Sequence, residues 1–142
     1  MFNLELQRLE GVWTGTEQVS DGVNNYSSSG RLVFQTVFDG RFLLCDYVQT
    51  APERPTAFAH GVFRQDEHSK ALTVTWFRSP TATASQQANA VAEGDKPIFY
   101  ETVDACTTRT TYVVLRDRLS VCTDRAHGDD WKRIFEGTYR RR

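Results

Sequence analysis

The chain has 142 residues, 39% hydrophobic and 25% charged, a balance that suits one soluble globular domain spanning 1–142 with a core that needs no metal or disulfide. A formal net charge of −1 speaks against nucleic acid, which selects a strongly basic face. Three cysteines, Cys45, Cys106 and Cys122, are odd in number and lack C-x-x-C spacing, so neither a disulfide framework nor a zinc knuckle is indicated. The start MFNLELQRLEG has no basic region followed by an apolar run, and no stretch approaches a membrane span. The expected setting is cytoplasmic, with no membrane partner.

Asn3 to Leu9 predicts a short helix capped near Asn3, with Phe2, Leu6 and Leu9 on one side. After it the dominant period is two, and Thr, Val, Phe, Tyr and Trp fill the runs, as strands require. Nine strands are predicted, over 11–19, 26–38, 41–49, 57–64, 71–78, 97–104, 109–116, 118–124 and 131–140. Turn signals separate them, among them SDGVNN (20–25), FDGR (38–41), QDEHSK (65–70), RDR (116–118) and AHGDD (126–130). TATASQQANAVAEGD (81–95), rich in alanine and nearly free of large apolar residues, reads as a mobile loop with at most one helical turn. Strict alternation in the last strand would put Trp131, Arg133, Phe135 and Tyr139 on one face.

Short, regular spacing favours an antiparallel meander. An open meander of this size would leave bare backbone groups on both outer strands, and closing it removes them. The predicted fold is therefore all-β: a closed antiparallel up-and-down barrel of about nine strands with a short N-terminal helix. A barrel of that size has space inside for at most one small ligand. In LEGVWTGTEQV, Gly11 and Gly15 flank Trp13 on one face. The glycines are expected to permit the sharp bend and close backbone approach of the first strand, and to leave room for the indole, which plugs the barrel floor.

Leu9-Glu10-Gly11-Val12-Trp13-Thr14-Gly15 resembles the G-x-W opening of calycins: lipocalins, fatty-acid-binding proteins and their relatives. A fuller resemblance is to a bacterial, uncharacterised lipocalin-like family with an L-x-G-x-W-x-G opening. That family also has a GRFL strand, here Gly40-Arg41-Phe42-Leu43, and a C-terminal run matched by Trp131, Glu136, Tyr139 and Arg141. The resemblance implies a calycin-like barrel and brings no assigned activity. Nitrobindin-like haem barrels share the opening, but continue with another glycine where this chain has Glu17, and they need an axial histidine. His68 and His127 fall in predicted turns. His60 is on a predicted strand and reads as an ordinary strand residue in preference to a haem ligand, so no cofactor is expected. The R-x-Y carboxylate clamp of fatty-acid-binding proteins is absent. Arg133, six residues before Tyr139, is the candidate substitute.

Function would reside in the barrel interior. The candidate ligand-binding residues are Tyr47, Trp76, Arg78, Tyr100, Tyr112, Arg133 and Phe135, with Gly11, Trp13 and Gly15 as the structural floor. If Trp76, Arg78, Arg133 and Tyr112 share a face, they form an aromatic cup with a cationic end, suited to a small amphipathic acid. The competing reading places Arg78, Arg116 and Arg133 at strand ends in water. Asp129-Asp130 and Asp66-Glu67-His68 read as turn chemistry, not as acid–base or metal sites. Asp46 reads either as an outward strand residue or as a buried partner for an arginine. No catalytic residue and no metal site is assigned. The expected function is binding of one small hydrophobic or amphipathic molecule, with an anionic one among the options. The alternatives are a small enzyme acting in the same pocket, or a homodimeric module with a filled interior.

Overall fold

A computed structural model describes residues 3–20, 22, 24–79, 86–92, 94 and 96–142, with the backbone alone at 79 and 86–88. The helix α1 is Leu4–Gln7, and ten strands follow: β1 Gly11–Ser20, β2 Asn25–Val37, β3 Phe42–Thr50, β4 Ala57–Gln65, β5 Leu72–Ser79, β6 Gln86–Ala92, β7 Ile98–Val103, β8 Cys106–Leu115, β9 Arg118–His127 and β10 Asp130–Arg141. Each strand pairs antiparallel with the next, and β1 pairs with β10 to close the barrel. Closure gives Trp13 a partner on each side, Leu32 on β2 and Arg141 on β10. No helix among the described residues is long and apolar enough to cross a membrane.

The predicted all-β closed barrel is thus the observed fold, with one strand more than expected. The extra strand is β6, inside the alanine-rich segment predicted to be a loop; residues 80–85, 93 and 95 of that region lie outside the described residues. Its register pairs Val74 with Ala90 and Trp76 with Ala88 on one side, and Ala90 with Glu101 on the other. Ala90 and Ala92 are buried in the core. Small side chains at every second position fit a wall opposite large ones, yet they carry little intrinsic strand preference.

The short helix forms with the expected Asn3 cap but spans only Leu4–Gln7, and Phe2 lies outside the described residues. Asn3 Oδ1 accepts from the backbone N–H of Glu5 at 2.8 Å and of Leu6 at 3.1 Å, which satisfies two of the bare amides of the first turn. Leu6, Leu9 and Trp13 are fully buried at this end of the barrel. The Trp13 indole N–H donates to the Leu9 carbonyl at 2.7 Å, and the Arg141 guanidinium lies 4.2 Å from the ring centroid. Arg141 also donates to the Glu10 carbonyl, and to that of Arg8 at 3.0 Å. The floor is therefore a stack of helix, indole and guanidinium.

The close backbone approach expected of the flanking glycines is found at Gly15, but neither glycine makes room for the indole. At Gly11, where φ is +131°, a Cβ would meet not the indole but Arg141 Nη1 at 2.6 Å. At Gly15 it would collide with the Thr138 carbonyl of β10. One glycine admits the guanidinium and the other the close approach of the closing strand.

Next to the floor the barrel is filled. Phe63 makes near-perpendicular ring contacts with Trp76, Phe99 and Tyr112 at 5.8, 5.4 and 5.7 Å, and packs at 6.1 Å against Phe34. Edge-to-face pairs of this kind add to simple burial. Leu43, Cys45, Leu72, Val74 and Leu119 complete this layer.

Candidate functional site: an interior cavity beside a buried carboxylate

Past the aromatic layer, the half of the barrel away from α1 is not filled. A cavity of about 400 Å³ is lined by apolar and aromatic side chains including Tyr47, Trp76, Tyr112 and Phe135, with Gln49, Thr110 and Thr123 among its polar lining. Inward-pointing small residues, Ala57 and Ala59 on β4, make the space. Gly61, one inward position on, lets the Trp76 ring lie across β4: a Cβ there would stand 2.7 Å from the indole. Phe58, about half exposed, stands among the residues at the edge of the cavity. Thr110 and Thr123 hydroxyls bond each other at 2.9 Å across β8 and β9.

The polar end of this cavity is built on Glu17, which is fully buried. Its Oε2 accepts from the hydroxyls of Tyr47 at 2.8 Å and Tyr139 at 2.5 Å. Its Oε1 accepts from Ser28 Oγ at 2.7 Å and Gln49 Nε2 at 3.2 Å. Four donors on two oxygens match the acceptor-only inventory of an ionised carboxylate. Among the described residues, no cation lies within ion-pair distance of Glu17. Gln49 Nε2 also donates to the Tyr47 hydroxyl at 3.0 Å, so both its amide protons are committed inward. Glycines open the niche: a Cβ on Gly30 would overlap the Glu17 carboxylate, and one on Gly137 the Tyr139 hydroxyl. Burial, and next the Glu17 carboxylate, push the Tyr47 and Tyr139 phenols far above the ordinary tyrosine value. Burial does the same to Tyr112 and to the Cys45 thiol.

On β5, two strands from Tyr47 at the same level of the barrel, Arg78 bonds Glu101 through both guanidinium arms, at 3.1 and 3.0 Å, and sits 5.6 Å from the Trp76 ring. Glu101 is mostly shielded from solvent, so the arginine's charge is matched within the protein. Arg125 occupies the next inward position of β9 after Thr123, outside the cavity lining, and its Nε is buried without a hydrogen-bond partner.

Five of the seven candidate residues, Tyr47, Trp76, Arg78, Tyr112 and Phe135, line this cavity. The other two do not. Tyr100 and Arg133 border a separate hollow of about 270 Å³ on the outer face of β7–β10. The predicted cup that combined Arg133 with Trp76 and Tyr112 is therefore corrected, and the cause is a bulge. Arg133 pairs with Asp124, but Phe135 pairs with Thr123, leaving Ile134 as an extra residue. The extra residue reverses the alternation, so Phe135 and Tyr139 face in while Arg133 and Trp131 face out. For the same reason Arg133 does not join Tyr139 as a carboxylate clamp. Arg133 and Arg109 instead hold Asp124, at 2.6 and 3.1 Å, while Arg109 lies 4.2 Å from the Trp131 ring. Burial alone would raise the Asp124 carboxyl, but the two guanidinium bonds outweigh it and hold it below the usual range. Tyr100 follows the inward Phe99 and packs on Trp131 at 6.2 Å.

None of the three histidines offers an inward axial ligand. His60 lies on the outer face of β4, with Nδ1 2.7 Å from Asp46 on the neighbouring strand. His68 lies in the β4–β5 turn, where Asp66 Oδ1 accepts from its amide, and His127 is exposed at the β9–β10 hairpin. The residues present do not fit a histidine-ligated haem, and Asp46 is an outward strand residue. A larger hollow, about 670 Å³, lies outside the barrel between the β2–β3 and β4–β5 turns. It is lined by solvated turn residues such as Asp39, Asp66 and Lys70, so the interior cavity is the better-built candidate.

Glu17, Ser28, Gln49 and Glu101 were missed as interior polar residues. Parity held the signal for all four: Glu17 is four residues after Trp13, Ser28 six before Phe34, Gln49 two after Tyr47 and Glu101 two after Phe99, each on the same face as an inward aromatic.

Fold and site together define a closed ten-stranded antiparallel barrel with one half filled and the other hollow. No protein-family model and no curated protein matches the chain. Among solved structures it is similar to Rv2717c from M. tuberculosis, with a TM-score of 0.66 and 14% identity over 100% of this chain and 99% of that one. At that identity the likeness shows a shared fold.

Proposed function

We propose that this is a calycin-like barrel whose function is to hold one small, largely apolar molecule inside it. The observation that supports this reading is the division of the interior. The half beside α1 is packed by the Phe63 cluster, while the other half retains about 400 Å³ walled by Trp76, Tyr112 and Phe135. That volume is at the small end of ligand sites. A structural module with a filled interior would not leave inward alanines opposite a large indole. The test uses a neutral apolar fluorophore and the space-filling variant Ala59→Phe. Wild type should bind one equivalent saturably and quench Trp76, and the filled variant should lose binding while remaining folded. Equal binding by both proteins would refute an interior site.

A further inference from the structure

Glu17 stands apart from the other charges inside the barrel, Arg78 with Glu101 and Arg125, and that separation says what kind of head group fits. Glu17 is buried against neutral donors alone: three hydroxyls and one amide. Among the described residues lining the cavity, the one cation is Arg78, and Glu101 already takes both of its arms. The donors around Glu17 also point their protons away from the cavity. Tyr47 gives its proton to Glu17, and Gln49 gives its two to Glu17 and Tyr47. What these side chains can still offer a guest is oxygen: the phenol lone pairs of Tyr47 and Tyr139 and the Gln49 carbonyl. The remaining wall is aromatic, and aromatic faces attract cations as well as apolar surface.

Resting on the reading of the cavity as a ligand site, we propose that its guest is an organic ammonium: a cationic nitrogen seated against Tyr47, Gln49 and Tyr139, with an apolar body against Trp76 and Phe135. The protonated nitrogen donates to the oxygens that the cavity presents. Its charge sits one hydroxyl away from a carboxylate that has no other counter-ion, in surroundings of low dielectric where that attraction is strong. A carboxylate guest, by contrast, meets acceptors beside Glu17, and at Arg78 it meets a guanidinium whose charge Glu101 already balances. The small amphipathic acid suggested by the arginines of the sequence is therefore the wrong charge for the site.

The experiment compares three probes with one tail: octylammonium, 1-octanol and octanoate, titrated at pH 7 into the purified full chain by calorimetry. The expected order is octylammonium tightest, by about tenfold or more over octanol, with octanoate weakest. Glu17→Gln should erase the ammonium preference and leave octanol affinity within about twofold. Tyr47→Phe, which keeps the carboxylate, should retain the preference. If Glu17→Gln does not fold, the wild-type ranking decides alone. Equal binding of octanol and octylammonium would overturn the ammonium assignment but leave the carrier reading standing. Tighter binding of octanoate would overturn it too, and would point to Arg78 and Arg125 as the head-group site. No binding of any probe would defeat both readings.

Discussion

Tyr139→Phe removes one oxygen from the interior and leaves the ring in place. That oxygen donates to Glu17 Oε2, and both residues are buried. A hydrogen bond to a charged group contributes about 1.5–3 kcal/mol net. Spread over a chain of this size, such a loss lowers the thermal midpoint by roughly 4–9 °C. Urea unfolding at pH 7, followed by tryptophan fluorescence, should show a lower midpoint at an unchanged slope. Tyr47 is the second donor to the same oxygen, at 2.8 Å. The double variant Tyr47→Phe/Tyr139→Phe strips Oε2 of both and should cost more than the two single changes added. A stability change below about 0.5 kcal/mol for Tyr139→Phe, the scatter of an ordinary surface substitution, would refute the view that these phenols hold a buried carboxylate.

Three of the five tyrosines, Tyr47, Tyr112 and Tyr139, have phenols raised above the ordinary value near 10 by burial. Below pH 10 folded and unfolded chains both keep these protons. Above it the unfolded chain releases them first, so stability falls with rising pH, by about 1.4 kcal/mol per pH unit for each tyrosine. Absorbance at 295 nm should show these three ionising only as the protein unfolds; their titration in the folded state near pH 10 would contradict their burial. Trp13→Ala should cost roughly 3–5 kcal/mol in urea unfolding, because it removes the plug between α1 and Arg141; a loss under 1 kcal/mol would mean the floor does not need it. Arg133→Ala should leave probe binding unchanged, since the side chain is outside the barrel. It should also reduce acid resistance: Asp124 is held low by its arginines, so that contribution is present above the usual carboxylate range and lost as pH falls through it. Impaired probe binding in a folded Arg133→Ala protein would place the site on the outer face.

Much of the fold was legible because closure is a backbone requirement, and period-two runs of β-branched and aromatic residues announce most of the wall. Strand β6 escaped because Ala90 and Ala92 are chosen for size, not strand preference: they pair with Val74 and Phe99, and the bulk is on the partners. The site was half legible. Trp76, Arg78 and Tyr112 follow from parity alone. Arg133 was misplaced because a single extra residue, Ile134, inverts the last strand, and nothing in WKRIFEG marks a bulge. Glu17 is the instructive omission. A glutamate on a strand normally faces water, so composition argues for outside while parity argues for inside. Only the glycines at 30 and 137, distant in sequence, show that a niche exists to receive it.

The central claim is that the hollow half of the barrel is a ligand site with Glu17 behind its polar wall. Intermolecular NOEs in the complex with octylammonium test it most directly. The account predicts contacts from the methylene beside nitrogen to the Tyr47 and Tyr139 rings and from the tail to Trp76 and Phe135, with none to Tyr100 or Trp131. Contacts confined to the outer Tyr100–Trp131 face, or a head group lodged at Arg78, would contradict it.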